Sequence, residues 1–189
     1  MSSYTFNGDF TVPTSREQVY AVLSDVTRFA PLLPTYISHE LKEDGSALVK
    51  VKVGVGKIHG TGEVVLKSEE TIAPLRASYT GKGKVMGGVF NLNAGFELED
   101  VGTDLTRVVW HGEVAMFGKL VPLAGGLVKP VAERDINAMI KAVQIEFGGV
   151  VEAEPAGVAL AGAVRPGLVA RFIAWLKRLF NIRDRGSMT

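Results

Sequence analysis

From Ala47 to Phe117 the chain keeps returning to a two-residue rhythm, and that rhythm limits what it can fold into. Ala47, Val49, Val51, Val53 and Val55 alternate with Leu48, Lys50, Lys52 and Gly54. Successive side chains of a strand point to opposite faces, so this stretch has one apolar face and one mixed face. Ile58, Gly60, Gly62, Val64 and Leu66 form the matching face of the next strand. Segments at 75–85, 89–98 and 105–117 complete an antiparallel meander, punctuated at Ala73-Pro74, Gly87-Gly88 and Asp100 to Thr103. On these segments the inward sets are Ala77, Tyr79 and Val85, then Phe90, Leu92, Ala94 and Phe96, then Val108, Trp110, Val114 and Met116.

The flanks supply helices to cover that face. Thr5 to Val12 reads as a first strand ended by Pro13. Thr14 and Glu17 stand at capping-box spacing before a helix whose buried stripe is Val19, Val22 and Leu23. Val26 to Leu33 continues as a second short helix before Pro34. After the meander, 119–147 reads as one long helix with Leu120, Leu123, Leu127, Val131, Ile136, Met139, Ile140, Val143 and Phe147 on its apolar side. Pro122 falls in its first turn, and Pro130 is expected to kink or interrupt it. The order is strand, two short helices, six strands, long helix. An α+β fold buries these faces economically, as a curved antiparallel sheet wrapped around the long C-terminal helix.

This body, 1–147, is large enough for a core without metals or disulfides, and the chain has no cysteine. Residues 148–167 are small residues, glycine and proline with no sustained periodicity, which reads as a flexible linker. Residues 168–183 are a basic amphipathic helix. Leu168, Phe172, Trp175, Leu176, Leu179 and Phe180 share one face, with Arg171, Lys177, Arg178 and Arg183 toward the other. At ~1.5 Å per residue it spans roughly 24 Å, short of a bilayer core of ~30 Å. A helix lying in the headgroup plane fits, with Leu168, Phe172, Trp175, Leu176, Leu179 and Phe180 in the acyl boundary and Arg171, Lys177 and Arg178 toward anionic lipid. The chain is net +1, and from Arg165 to Arg185 Asp184 is the one carboxylate, so the rest is net acidic. That asymmetry suits an anionic membrane better than nucleic acid. The opening residues contain no apolar run of secretory type, so a cytoplasmic location is expected, with peripheral contact at the inner face of the membrane.

Little in the sequence looks catalytic. His39, His59 and His111 are far apart, and the latter two have outward parity, so solvated histidines and no metal site are expected. Gly81 to Gly87 lacks the spacing of a phosphate-binding loop. The inward face instead mixes bulky side chains with Gly60, Gly62, Ala77, Gly81, Ala94 and Gly112. Either the aromatics fill a plain core, or the gaps leave an apolar cavity with a few polar anchors. In the second case the expected lining is Phe29, Leu33, Val53, Tyr79, Phe90, Leu92, Phe96, Thr106, Trp110, Val114, Met116, Leu123, Leu127 and Val131, with Tyr79 and Thr106 as anchors.

Two passages carry a family resemblance: Phe6 to Pro13 followed by Arg16 to Asp25, and Thr106 to Trp110 running through Phe117 to Gly125. With the element order, they resemble the CoxG family of carbon monoxide dehydrogenase proteins, within the START-like, helix-grip (SRPBCC) fold. The resemblance covers about 1–147, and a tethered C-terminal helix also occurs in that family. It implies a membrane-associated accessory protein for a molybdenum-containing carbon monoxide dehydrogenase, with a cavity for a lipophilic ligand. A respiratory quinone, menaquinone or ubiquinone, is the expected ligand, with no covalently bound cofactor. A non-enzymatic carrier linking the quinone pool to the dehydrogenase is the preferred expectation. The alternatives are a polyketide cyclase-like enzyme and an assembly or recruitment factor.

Overall fold

The computed structural model describes residues 2–55, 58–124, 126 and 128–149. The chain divides into two units, Met1–Ala153 and Glu154–Thr189. The amphipathic segment 168–183 and the linker beyond Gly149 lie outside the described residues.

The elements are β1 (Ser2–Val12), α1 (Arg16–Leu23), α2 (Val26–Phe29), a 3-10 turn at Ala30–Leu32, β2 (Tyr36–Leu41), β3 (Ala47–Val55), β4 (Ile58–Ile72), β5 (Arg76–Val85), β6 (Gly88–Gly102), β7 (Leu105–Phe117), a 3-10 segment at Gly118–Ala124, and α3 (Val128–Glu146). The strands form one antiparallel sheet in the order β1-β7-β6-β5-β4-β3-β2. Each strand from β2 to β7 pairs with its sequence neighbour, and β1 closes on β7. Irregularities at Tyr36/Ser38, Ser68/Glu70 and Asp100/Gly102 bend and twist their strands, as bulges do, and curve the sheet. Met86 and Gly87 both have positive φ (50° and 74°), the geometry of a two-residue hairpin that matches strand twist.

Two sequence expectations shift. The cap of α1 is Ser15, not Thr14. Thr14 bonds Gln18 through its side chain, and its carbonyl is held by Thr106. The long helix is also shorter than expected, because the chain from Gly118 to Ala124 winds as 3-10 and contains Pro122. Since α3 begins at Val128, Pro130 sits in its first turn, where no intrahelical N–H bond is lost.

Buried side chains gather in three separate clusters. One joins Val12, Val19, Leu23, Leu98, Val108 and Val143, with Phe10, Phe29, Phe96 and Phe147 against it. A second joins Ala30, Val49 and Val64, with Leu33 and Phe90 beside them. The third is Met116 and Leu120, with Tyr4, Val85, Phe90, Val114 and Val128. Thus α3 is anchored near its C-terminal end by Val143 and near its N-terminal end by Val128. Between them Val131, Ile136, Met139 and Ile140 stay partly exposed, although they form its apolar stripe. Val143 is the single fully buried residue among those described in this helix.

Candidate functional site: an apolar cleft over Gly112 and Ala94

Phe6, Gly112, Ala94 and Tyr79 stand side by side across β1, β7, β6 and β5, near the middle of the sheet. Alternation turns all four to the face that carries the clusters. Along the strands, Phe96 and Trp110 lie on one side of this row, and Leu92 and Val114 on the other. Two small residues therefore form a floor ringed by large ones.

That floor is open. A Cβ added at Gly112 would meet nothing nearer than the Asn93 carbonyl oxygen at 3.9 Å. At Gly81, on the same face, it would meet methyl carbons of Val64 and Leu66 at 3.0 Å. At Gly83 it would strike the Phe90 ring at 2.1 Å. The gaps at Gly81 and Gly83 are filled by neighbours, and the gap at Gly112 is not. Native interiors leave few voids of this kind. With Leu92, Trp110 and the α3 stripe all partly exposed, the inner face behaves as the wall of a cleft rather than as sealed core.

The expected lining residues divide accordingly. Leu92, Trp110, Val114 and Val131 keep accessible surface near this floor or along α3. Phe29 and Phe96 pack into the first cluster, Phe96 with an edge-on contact to Tyr20 at 6.2 Å. Leu33 lies against the second cluster, and Phe90 bridges the second and third. Val53 leans over Gly62 on the inner face. Met116 is buried core. Leu127 and the side chain of Leu123 lie outside the described residues. Phe6, Ile136, Met139 and Ile140 were not among the expected residues. The signal for Phe6 is its register opposite Gly112, which needs the β1–β7 pairing to be known.

The two expected anchors are spent on the fold. Tyr79 donates its hydroxyl to the Leu23 carbonyl at 3.0 Å, and burial pushes its ionisation well above the usual phenol range. Thr106 is fully buried and donates to the Thr14 carbonyl at 2.7 Å, bracing the corner between β1 and α1. Thr106→Val keeps the shape and leaves that carbonyl without its donor. It is expected to destabilise the protein by ~1–3 kcal/mol, read as a lower denaturant midpoint with unchanged slope. No lining role survives for Thr106.

Other polar groups are placed as follows. The Trp110 indole N–H is sealed and has no acceptor, its ring lying 3.0 Å from where a Cβ at Gly8 would stand. His59 is exposed, as expected, and His39 meets the Tyr36 hydroxyl at 2.8 Å. His111 departs from expectation. Its outward parity is right, but it is half-buried across Gly95, where a Cβ would come within 2.6 Å of the imidazole. Desolvation there holds its pKa below the ordinary imidazole value. Among the described residues no group of His, Asp and Glu is arranged to hold a metal. On the inner face of the described strands, alternation places no carboxylate and no imidazole in the rows from Leu92 to Trp110.

Residues 8–147 match the model of the carbon monoxide dehydrogenase CoxG family. Among solved structures the chain is similar to a conserved protein from Geobacillus kaustophilus, at 17% identity and a TM-score of 0.69, covering 77% of this chain and 95% of that one. A START superfamily protein from Mycobacterium smegmatis gives 15% identity and a TM-score of 0.59, covering 76% and 97%. The Zhui aromatase/cyclase from Streptomyces sp. R1128 gives 20% and 0.56, covering 79% and 100%. At these identities the likeness is one of fold, and the fold is START-like, with a curved seven-stranded antiparallel sheet and a C-terminal helix. No curated protein matches the sequence.

Proposed function

We propose that this chain, which belongs to the CoxG family of carbon monoxide dehydrogenase proteins, is a carrier for a lipophilic ligand. The observation that carries the reading is the open floor at Gly112, walled by Leu92, Trp110 and the unsealed stripe of α3. Water in such an apolar cleft is readily displaced by an apolar guest. A respiratory quinone, menaquinone or ubiquinone, fits this chemistry, having a flat ring and an isoprenoid chain. The ligand would itself carry the electrons, so the protein needs only to bind and shield it. The family's name supports a molybdenum-containing carbon monoxide dehydrogenase as the partner. The amphipathic segment 168–183 would hold the carrier at the inner face of the cell membrane, where quinone is exchanged. Among the described residues no helix is long and apolar enough to cross a membrane. A cyclase would need a proton donor or acceptor at the floor, and the described strands offer none there.

The chain has two tryptophans, Trp110 and Trp175. With Trp175→Phe, fluorescence reports on Trp110 alone. Titration with menadione, a tail-less naphthoquinone, is expected to quench it saturably, and an organic extract of the purified protein to contain a quinone by mass spectrometry. Quenching no steeper than that of free tryptophan, with no lipid in the extract, would overturn the carrier reading.

A further inference from the structure

The two ends of the sheet differ in charge. The register places the β3–β4 and β5–β6 hairpins and the chain after β7 at one end. Lys52, Lys82, Lys84 and Lys119 are exposed there. Lys84 stands opposite Val89 in the β5–β6 ladder, and Lys119 approaches Gly87 at the hairpin tip. Glu63, the carboxylate of this patch, is already paired with Lys50 at 3.2 Å. At the opposite end the β4–β5 and β6–β7 hairpins carry Glu70, Glu97, Glu99, Asp100 and Asp104, and carboxylates outnumber Arg76 and Arg107. The basic end also presents an apolar tip, Val89 at 45% exposure beside Met86.

We propose that this basic end is a second membrane contact, made by the folded body itself with anionic lipid. Cations around an exposed apolar tip suit a headgroup layer. Each lysine near such a surface gains attraction that salt screens, while the apolar residues reach toward the acyl boundary. The acidic opposite end is repelled by the same surface, so the body is oriented as well as bound. A nucleic acid would meet the acidic remainder of the body and no arginine in this patch. The proposal rests on the carrier reading only for its purpose, since an oriented body presents the same end to the membrane at every encounter.

The test uses the full chain, whose lack of cysteine makes single-site labelling clean. An environment-sensitive dye is placed on Val89→Cys or, at the acidic end, on Leu105→Cys, which is exposed to 37%. Vesicles are phosphatidylcholine with or without phosphatidylglycerol. The dye at 89 is expected to brighten on anionic vesicles and the dye at 105 to stay unchanged. Lys82→Gln, Lys84→Gln and Lys119→Gln together are expected to weaken anionic-vesicle binding by about tenfold or more and to leave menadione quenching of Trp110 unchanged. Equal or reversed dye responses, or a triple variant that binds vesicles as well as the parent, would overturn the proposal. Loss of menadione binding in the parent would count against the carrier reading and leave the lipid contact standing, so the two failures are distinguishable.

Discussion

Gly112→Leu is expected to abolish saturable quinone binding, with at least a thirtyfold loss of affinity, while the melting temperature holds or rises. Forcing extra methylenes into a well-packed interior costs ~1–3 kcal/mol. At Gly112 the new side chain instead enters space that nothing occupies within 3.9 Å, and it gains contacts with Trp110, Leu92 and Val114. Replacing a strand glycine also recovers ~0.5–1 kcal/mol of conformational entropy. Gly83→Leu is the counter-experiment. Its first carbon would overlap the Phe90 ring at 2.1 Å, so this variant should lose stability or fail to fold. Thermal unfolding and menadione titration of both variants separate cleft from core. A destabilised Gly112→Leu that still binds quinone would mean the floor is ordinary packing.

Much of this arrangement was legible in the sequence, because one physical rule governs most of it. The sheet buries a single face, so parity alone puts Gly81, Phe90, Leu92, Ala94, Trp110 and Val114 on that face, and the register agrees. What parity cannot supply is the distance to whatever covers the face. Gly81, Gly83 and Gly112 look alike in sequence, yet Val64 and Leu66 fill the first, Phe90 the second and nothing the third. The hydroxyls misled for a related reason. Tyr79 and Thr106 do point inward, but their partners are backbone carbonyls 56 and 92 residues away, which local pattern does not reveal. His111 failed in the opposite sense. Outward parity suggested water, but the missing side chain at Gly95 on the neighbouring strand gave the ring a place to lie. Close approach across strands was the common blind spot.

Removing residues 166–189 is expected to lower affinity for anionic vesicles by more than a hundredfold and to leave menadione binding intact. The removed stretch carries Phe172, Trp175, Leu176, Leu179 and Phe180, and burying a large apolar side chain contributes ~1.5–3 kcal/mol. Even after the cost of ordering the segment, several such residues outweigh the lysines of the body. Salt separates the two contributions. Raising ionic strength shortens the Debye length and weakens attraction between lysine or arginine and lipid, whereas apolar burial is not screened. Full-length protein should therefore lose only part of its vesicle binding in high salt, and truncated protein nearly all that remains. Phe172→Asp with Leu176→Asp should match the truncation, because each puts a charge on the face meant for lipid. Flotation of the three proteins with vesicles at low and high salt, with circular dichroism as the check on folding, decides the matter. If the truncated chain floats as well as the full one, the segment is no anchor and the lysine-rich end of the sheet is the remaining candidate for membrane contact.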